Sequence, residues 1–147
     1  MICITGIPAT GKTTVCNFLK TMGIQCSSLN DMARENKLIQ NGRVDIDSLM
    51  EIRIDCPVVE AHYSHLLKCD YVIILKDDEE AILQRMKKRK YTNEKISENL
   101  DVQRSDTIYY EALDRLPDNR IFTVNAHSKS IEDICKIVYE IIHNIRQ

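Results

Sequence analysis

A glycine-containing segment at residues 6–13 narrows the choice of folds for this chain more than any other part of its sequence. It reads Gly-Ile-Pro-Ala-Thr-Gly-Lys-Thr and directly follows the apolar run Met-Ile-Cys-Ile-Thr. This is the G-x-x-x-x-G-K-[ST] phosphate-loop pattern, which has physical meaning when a buried strand precedes it and a helix follows it. A chance match in a glycine-bearing turn is the alternative, and the flanking segments argue against it. The segment therefore predicts an α/β fold with a nucleoside triphosphate site.

The residue types in this loop suit a phosphate group. Gly6 and Gly11 allow backbone N–H groups to turn inward without interference from a Cβ atom. The Lys12 ammonium can reach the β- and γ-phosphates, and the Thr13 hydroxyl can bind Mg²⁺. A helix beginning near Lys12 would add its positive dipole end. The other predicted ATP-binding positions of the loop are Pro8, Ala9, Thr10 and Thr14.

Length and composition indicate an ordinary globular chain. Its 147 residues suit one domain, and hydrophobic and charged residues make up 44% and 29% of them. A net charge of −2 gives no general attraction to nucleic acid. No apolar run approaches the roughly 20 residues of a membrane span, and the start of the chain does not resemble a signal peptide. We therefore expect a cytoplasmic protein with no membrane contact.

The six cysteines form no C-x-x-C pair and no metal-ligand spacing. Several of them fall within apolar runs that predict strands. Disulfides or a zinc site remain the alternative, but the pattern favours buried free thiols in a reducing compartment.

Short runs rich in Ile and Val alternate with helical patterns, which predicts a parallel sheet covered on both faces. The predicted strands are residues 1–5, 24–28, 56–60, 71–75 and 120–124. The predicted helices are residues 11–22, 29–38, 47–52, 77–90, 93–116 and 130–145. Residues 40–46 form the most loop-like part of the first half. No repeat or linker is present, so we expect a single domain over residues 1–147.

A second candidate group follows the third predicted strand, where ligands bind at the carboxyl end of a parallel sheet. Glu60 ends that strand and could hold Mg²⁺ through water or accept a proton. His62 could position a water molecule or contact a phosphate. Alternatively, Glu60 begins a helix and His62 is a structural histidine. We interpret His65, one turn later, as a surface or packing residue.

Five basic residues lie within residues 85–90, and such a run is usually a solvated helix end. Arg85 and Arg89, however, are four residues apart and share one helical face. A guanidinium is suited to bidentate contact with phosphate oxygens, and phosphoryl transfer depends on such cations. We therefore predict phosphate contacts from Arg89 and Arg85.

Together these motifs resemble a known family, the short adenylate kinases of archaea and the eukaryotic nucleus (the adenylate kinase isoenzyme six family). The resemblance spans nearly the whole chain. It is carried by Gly-x-Pro-x-x-Gly-Lys-Thr-Thr at 6–14, Asp-x-Ala-Arg-Glu at 31–35, Val-Glu-x-His at 59–62, Arg-x-x-x-Arg-x-Tyr at 85–91 and Tyr-Tyr-Glu-Ala at 109–112.

The resemblance implies a nucleoside monophosphate kinase fold with a sheet ordered 2-3-1-4-5. It also implies a monophosphate-binding arm at about residues 29–55 and a short lid at about residues 85–99. Members are similar in catalysing Mg·ATP + AMP ⇌ 2 ADP and in hydrolysing ATP. They are linked to maturation of the small ribosomal subunit precursor through the ribosomal protein uS11.

The resemblance also implies roles for single residues. Arg34, with Asp31 beside it, would hold the monophosphate, and Glu60 would take the acidic position where members often carry Asp. His62 would be the histidine tied to hydrolysis, and Arg89 the lid arginine on the transferring group. Asn125 is a candidate for contact with the adenine edge. Alternatively, it simply turns the chain after the last strand.

Three positions depart from the family pattern. Ala9 and Lys90 stand where many members have glycine, and Gln103 stands where an acidic residue is common. None of these departures removes a phosphate ligand. Two alternatives to a monophosphate kinase stay open: an ATPase assembly factor that binds a ribosomal protein, and a small-metabolite kinase such as one for shikimate or gluconate. RNA contact through the lysines of residues 87–90 is a weaker alternative.

Overall fold

A five-stranded parallel sheet forms the centre of the computed structural model, which describes residues 1–147. Its strands are β1 (Ile2–Thr5), β2 (Cys26–Ser28), β5 (Val58–Glu60), β6 (Tyr71–Lys76) and β7 (Ile121–Asn125). They lie in the order β2-β5-β1-β6-β7. Among the strands of this sheet alone the order is 2-3-1-4-5, which confirms the predicted fold.

Helices cover both faces of the sheet. They are α1 (Lys12–Thr21), α2 (Leu29–Glu35), α3 (Ile46–Glu51), α4 (Glu79–Lys88), α5 (Asn93–Arg104), α6 (Thr107–Leu113) and α7 (Ile131–Ile145). Short 3₁₀ turns occur at Ser64–Leu66 and Asp118–Arg120. Hydroxyl side chains of Ser28, Thr92 and Ser130 accept the backbone N–H that begins α2, α5 and α7. No helix is both long and apolar enough to cross a membrane.

Two hydrophobic clusters flank the sheet and fix its position. On one face α1 and α7 pack with Val15, Leu19 and Val138 fully buried. On the other face the α2–α6 helices pack around Leu29 and Met86, also fully buried. With apolar residues on both faces, the strands are buried on both sides, which explains their near-continuous apolar sequence.

The segment predicted as a loop at residues 40–46 contains a hairpin. Strands β3 (Ile39–Gln40) and β4 (Arg43–Val44) pair antiparallel across a two-residue turn. Asn41 and Gly42 make that turn with φ values of 52° and 74°. Asn-Gly is the sequence that favours such a turn, because both residues tolerate a positive φ. The prediction of a loop is therefore wrong. The Asn-Gly pair in the sequence is the signal that indicates a hairpin here.

The single helix predicted over residues 93–116 is divided into α5 and α6. The break lies at Ser105 and Asp106, and Asp106 has a left-handed φ of 52°. The Ser105 hydroxyl donates to the Asp101 carbonyl at 2.7 Å, and Lys76 forms an ion pair with Asp106 at 2.8 Å. Serine and aspartate compete with helical backbone bonds, so this pair ends the first helix.

The prediction of free thiols is wrong for four of the six cysteines. Cys3 is bonded to Cys69, and Cys16 to Cys26, with Cα–Cα distances of 6.0 and 5.5 Å. The fold brings each pair together: Cys69 lies just before β6, which pairs with the strand that contains Cys3. Sequence spacing alone does not reveal such a contact. The free cysteines are Cys56 and Cys135.

Candidate active site

The loop between β1 and α1 has the backbone form that a phosphate requires. Gly6 and Gly11 have φ values of 146° and 96°. A Cβ atom on Gly6 would meet the Leu75 carbonyl oxygen at 2.5 Å, so glycine is required there. Ala9 also has a positive φ, 71°, at one of the positions where the resembled family often has glycine. The loop keeps its shape despite that Cβ.

Lys12 begins α1 and turns its side chain back into the loop. Its Nζ donates to the carbonyl oxygens of Gly6 at 2.9 Å and Ile7 at 2.8 Å. Burial lowers the pKa of Lys12 to about 8; Glu60 opposes the shift and Arg89 adds to it. The ammonium therefore lies where a phosphate anion would stabilise its charge and raise its pKa again.

Glu60, the last residue of β5, lies beside the start of α1. The Thr13 hydroxyl donates to Glu60 Oε2 at 3.2 Å, and the glutamate is buried. Burial raises the pKa of Glu60, and the Lys12 charge opposes the rise. Hydroxyl and carboxylate oxygens are the hard donors that Mg²⁺ prefers. The structure contains no cluster of three or more His, Cys, Asp or Glu residues suited to a metal ion.

His62 lies two residues beyond β5, with its side chain open to a cleft. Removal of the ring from water by the surrounding residues lowers the pKa of His62, and the Lys12 charge lowers it further. The imidazole is therefore neutral near pH 7 and can accept a hydrogen bond from water. The cleft has a volume of about 260 Å³, and the walls include the phosphate loop, Asn30, Glu60, Arg89 and Tyr91.

The two predicted arginines of α4 have different surroundings. Arg85 Nη1 donates to Asp77 Oδ2 at 2.8 Å and to the Ala9 carbonyl oxygen at 2.9 Å. Arg85 thus fastens α4 to the phosphate loop. Arg89, at the C-terminal end of α4, lines the His62 cleft and also a second cleft on the other side of the loop. Both arginines line the second cleft, but only Arg89 lines the cleft that contains Lys12.

The second cleft has a volume of about 250 Å³ and lies between the loop, α4 and the start of α7. Ala126, Lys129 and Ile131 form its outer wall. Asn125 does not line it: its Oδ1 accepts the backbone N–H of His127 at 3.0 Å. This geometry fits the chain-turning alternative for Asn125 and gives the adenine contact no support.

A third cleft, of about 630 Å³, separates α2 and the β3–β4 hairpin from the sheet. Arg34 lines it and forms an ion pair with Asp31 at 2.9 Å, whereas Asp31 itself does not line it. His62 and Asn30 belong to this cleft and to the one beside Lys12, so the two spaces adjoin.

Sequence reasoning missed two side chains of this third cleft. Arg43 is contributed by the hairpin, and Tyr63 donates its hydroxyl to Asn30 Oδ1 at 2.8 Å. Burial raises the pKa of Tyr63 to about 12, and Glu60 adds to the rise. Recognition of the Asn-Gly turn would have placed Arg43 at this edge. No sequence motif marks Tyr63 as a site residue, and its only indication is its position next to His62.

His65 is not a surface residue: only 3% of it is exposed, which fits the packing interpretation. Its Nδ1 lies 2.7 Å from Thr5 Oγ1, and its Nε2 lies 3.2 Å from Glu111 Oε1. Thr5 directly precedes the phosphate loop, and Glu111 belongs to α6. A single histidine thus connects three parts of the chain, and no sequence spacing indicated this.

Solved structures share this fold. The shikimate kinase from Acinetobacter baumannii, solved in complex with shikimate, superposes with a TM-score of 0.68 at 16% identity. The match covers 97% of this chain and 92% of that one. A Thermus thermophilus protein, TT1252, matches with a TM-score of 0.59 at 16% identity, covering 99% of this chain and 97% of that one. At such identities the likeness shows the fold alone.

Sequence relatives identify the family. The model of a family described as an AAA domain matches residues 2–106. A Thermoplasma acidophilum protein named "Putative adenylate kinase" is 50% identical over 143 residues, covering 94% of this chain and 97% of that protein. Proteins of the same name from Thermoplasma volcanium and Archaeoglobus fulgidus are 41% and 32% identical, covering 98% and 100% of this chain and 95% and 84% of their own lengths. The chain belongs to the archaeal adenylate kinase family that these relatives represent, a family of ATP-dependent phosphotransferases.

Proposed function

We propose that this protein is a nucleoside monophosphate kinase that transfers the γ-phosphoryl group of Mg·ATP to AMP. The observation that carries the proposal is the adjoining of two clefts. One contains the phosphate loop and Lys12, the other contains Arg34 and Arg43, and the two share His62 and Asn30. A donor phosphate beside Lys12 and an acceptor phosphate beside Arg34 would then meet near His62.

The roles follow from this placement. Residues 6–14 hold the ATP phosphates through the backbone of the loop, and Lys12 exchanges its loop carbonyls for phosphate oxygens. Arg89 reaches the transferring group from the end of α4, and the catalytic advantage comes from positioning and charge. Arg85 acts by holding the loop through the Ala9 carbonyl. We assign residues 29–55 as the monophosphate arm and residues 85–99 as the lid of one kinase domain.

Thr13 and Glu60 are the residues that would bind Mg²⁺, together with phosphate oxygens and water. Their oxygens lie 3.2 Å apart at the ends of adjacent elements, and the donor set suits a hard cation. When bound, the ion neutralises charge on the phosphates. The protein keeps Glu60 buried and oriented by the Thr13 hydroxyl, so that a carboxylate faces the loop before nucleotide binds.

The test is steady-state ADP formation from Mg·ATP, measured alone and with AMP, CMP, GMP or UMP. We expect AMP to raise turnover to about 1–100 s⁻¹, the range typical of kinases. The Lys12→Ala variant, purified in parallel, detects any contaminating kinase. Turnover that is indifferent to all four monophosphates would contradict the proposal.

One observation favours a second function, ATP hydrolysis, to which the family resemblance adds a role in small ribosomal subunit maturation through binding of uS11. His62, neutral near pH 7, faces the donor phosphates, where it can orient a water molecule for hydrolysis. In this case nucleotide and protein partner must change each other's affinity by the same factor. Calorimetry of ATP binding with and without uS11 tests this, and identical affinities would contradict it.

A further inference from the structure

The buried His65 has a polar side chain on each side of its ring. The 3₁₀ turn Ser64–Leu66 carries it between β1 and α6. Glu111 lies against Nε2 at 3.2 Å, and the Thr5 hydroxyl lies against Nδ1 at 2.7 Å. Both Thr5 and His65 are almost inaccessible to solvent, so neither can act on a substrate directly.

The Thr5 hydroxyl has a second neighbour, the backbone carbonyl oxygen of His62 at 3.3 Å. Burial lowers the pKa of His65; Glu111 opposes the shift, and the charge of Arg115 adds to it, so the ring is neutral near pH 7. The Glu111 carboxylate at Nε2 favours the tautomer that has its proton there. Nδ1 then accepts the Thr5 hydroxyl hydrogen at 2.7 Å, and this bond fixes the Thr5 rotamer so that the same hydroxyl lies 3.3 Å from the His62 carbonyl oxygen, as the longer arm of a bifurcated bond.

We propose that His65, oriented by Glu111, is a positioning residue that holds the Thr5 hydroxyl against the His62 carbonyl and so fixes the His62 side chain in the nucleotide cleft. The inference rests on the proposed function, in which His62 lies between donor and acceptor phosphates. The peptide plane after His62 sets the direction of its side chain, and Thr5 is the only side chain with a hydrogen bond to that plane. A small rotation there would displace the imidazole from the phosphates.

Two pairs of variants separate this role from simple packing. Thr5→Val removes the hydroxyl at nearly constant shape, whereas Thr5→Ser keeps it. His65→Asn retains a polar group at the position of Nδ1, whereas His65→Gln places its amide nearer to Nε2. We expect kcat to fall about tenfold in Thr5→Val and His65→Gln, the effect of losing about one hydrogen bond's worth of positioning. Thr5→Ser and His65→Asn should stay near the wild-type value.

The KM for ATP should stay unchanged in all four variants, because the contacts of the phosphate loop do not involve Thr5 or His65. The matched control is Ser64→Ala. Ser64 is fully buried next to His65, and its hydroxyl donates to the Ile4 carbonyl at 2.7 Å without reaching His62. We expect Ser64→Ala to lose stability but keep kcat. If Thr5→Val and Ser64→Ala lose kcat in proportion to their loss of stability, the network is only structural and the proposal is overturned.

A readout that needs no turnover keeps this inference separate from the proposed function. The chain has four histidines, and the NMR signal of His62 is identified by its loss in His62→Gln. We expect the His62 signal to shift in Thr5→Val and to stay in place in Ser64→Ala. If the wild type shows no turnover, the proposed function fails while this shift still supports the positioning role. An unmoved His62 signal in Thr5→Val would overturn the inference even in an active enzyme.

Discussion

The proposed donor side, which is the cleft that contains Lys12, and the proposed acceptor side, which is the cleft lined by Arg34, hold their cations in different ways. On the donor side, Lys12 is 9% exposed and hydrogen-bonded to loop carbonyls. On the acceptor side, Arg34 has a side chain that is 68% exposed and pairs with Asp31 one turn earlier on its own helix. Buried carbonyl oxygens of the loop hold Lys12, whereas one exposed neighbour on the same helix holds Arg34.

We infer from this difference that the site around Lys12 is preformed, whereas the site around Arg34 forms when the monophosphate binds. Exposed ion pairs contribute about 0–1 kcal/mol, so Arg34 can exchange Asp31 for a phosphate at little cost. The loop backbone is fixed by Gly6 against Leu75 and by Arg85 on the Ala9 carbonyl. Donor-side changes should therefore affect catalysis, and acceptor-side changes should affect the affinity for the monophosphate.

The largest expected effect is on the donor side. Lys12→Ala removes the cation that we propose lies nearest the transferring phosphate, and kcat should fall about a hundred- to a thousandfold, the cost of losing one such group. Circular dichroism should show an intact fold. The control is Lys20→Ala, which removes an exposed lysine from the same helix and should leave kcat unchanged. Near-normal turnover of Lys12→Ala would refute the donor-site assignment.

Changes on the acceptor side should affect the KM for AMP. Arg34→Ala should raise the KM for AMP about ten- to a hundredfold, because a charged hydrogen bond contributes about 1.5–3 kcal/mol. ATP hydrolysis without AMP should stay unchanged. Arg53→Ala is a matched control, since Arg53 is also exposed and pairs with a nearby aspartate, Asp55, outside this cleft. A loss of hydrolysis in Arg34→Ala would show that the two sides are not separable.

Changing the pH affects the two sides differently. The pKa of Lys12 is about 8, so its charge is lost above that pH, and kcat/KM for ATP should fall by up to tenfold per pH unit. The KM for AMP should not follow, because arginine does not titrate in this range. A pH profile of both constants checks this, and a parallel loss in KM for AMP would contradict it.

Protein stability should change in the opposite direction over the same window. Between pH 8 and 10.5 the unfolded lysine binds a proton that the folded Lys12 has released. The unfolded state then holds more protons, so the free energy of unfolding rises as pH increases. The Lys12→Met variant lacks this titration and should show no such rise. Denaturant unfolding at several pH values measures both proteins.

The sequence predicted the donor side better than the acceptor side, for a physical reason. The phosphate loop is a local pattern, and the glycines, Lys12 and Thr13 lie within eight consecutive residues. The acceptor cleft depends on the hairpin, and Arg43 reaches it only because Asn41 and Gly42 reverse the chain. Contacts between distant segments, such as Thr5 with His65 or Cys3 with Cys69, depend on strand order, which residue spacing does not encode.

The prediction of helix boundaries was limited for a similar reason. Apolar spacing places residues 93–116 on one continuous helical face, and only the local chemistry of Ser105 and Asp106 divides it. The Lys76–Asp106 ion pair that supports the break comes from β6, 30 residues earlier. A pattern of hydrophobic residues indicates which face is buried, but it does not show where a polar pair ends the helix.

The smallest expected effect concerns the end of α4, next to Arg89 on the donor side. Lys90 has a φ of 61°, and it donates to the Lys87 carbonyl while Tyr91 donates to that of Met86. This is the helix-ending motif in which glycine is usual, and α1 ends the same way at Gly23, with a φ of 82°.

A side chain in this left-handed conformation costs about 1–2 kcal/mol, while glycine costs about 0.5–1 kcal/mol through chain entropy. Lys90→Gly should therefore stabilise the protein by about 0.5–1 kcal/mol in urea unfolding. Lys87→Gly, an exposed site within the last turn of the same helix, should destabilise it by a similar amount. If Lys90→Gly also raises kcat, restricted motion of Arg89 limits the enzyme, and the donor side is more rigid than transfer requires. If kcat is unchanged, the lysine affects only stability, and Arg89 already lies where the donor phosphate needs it.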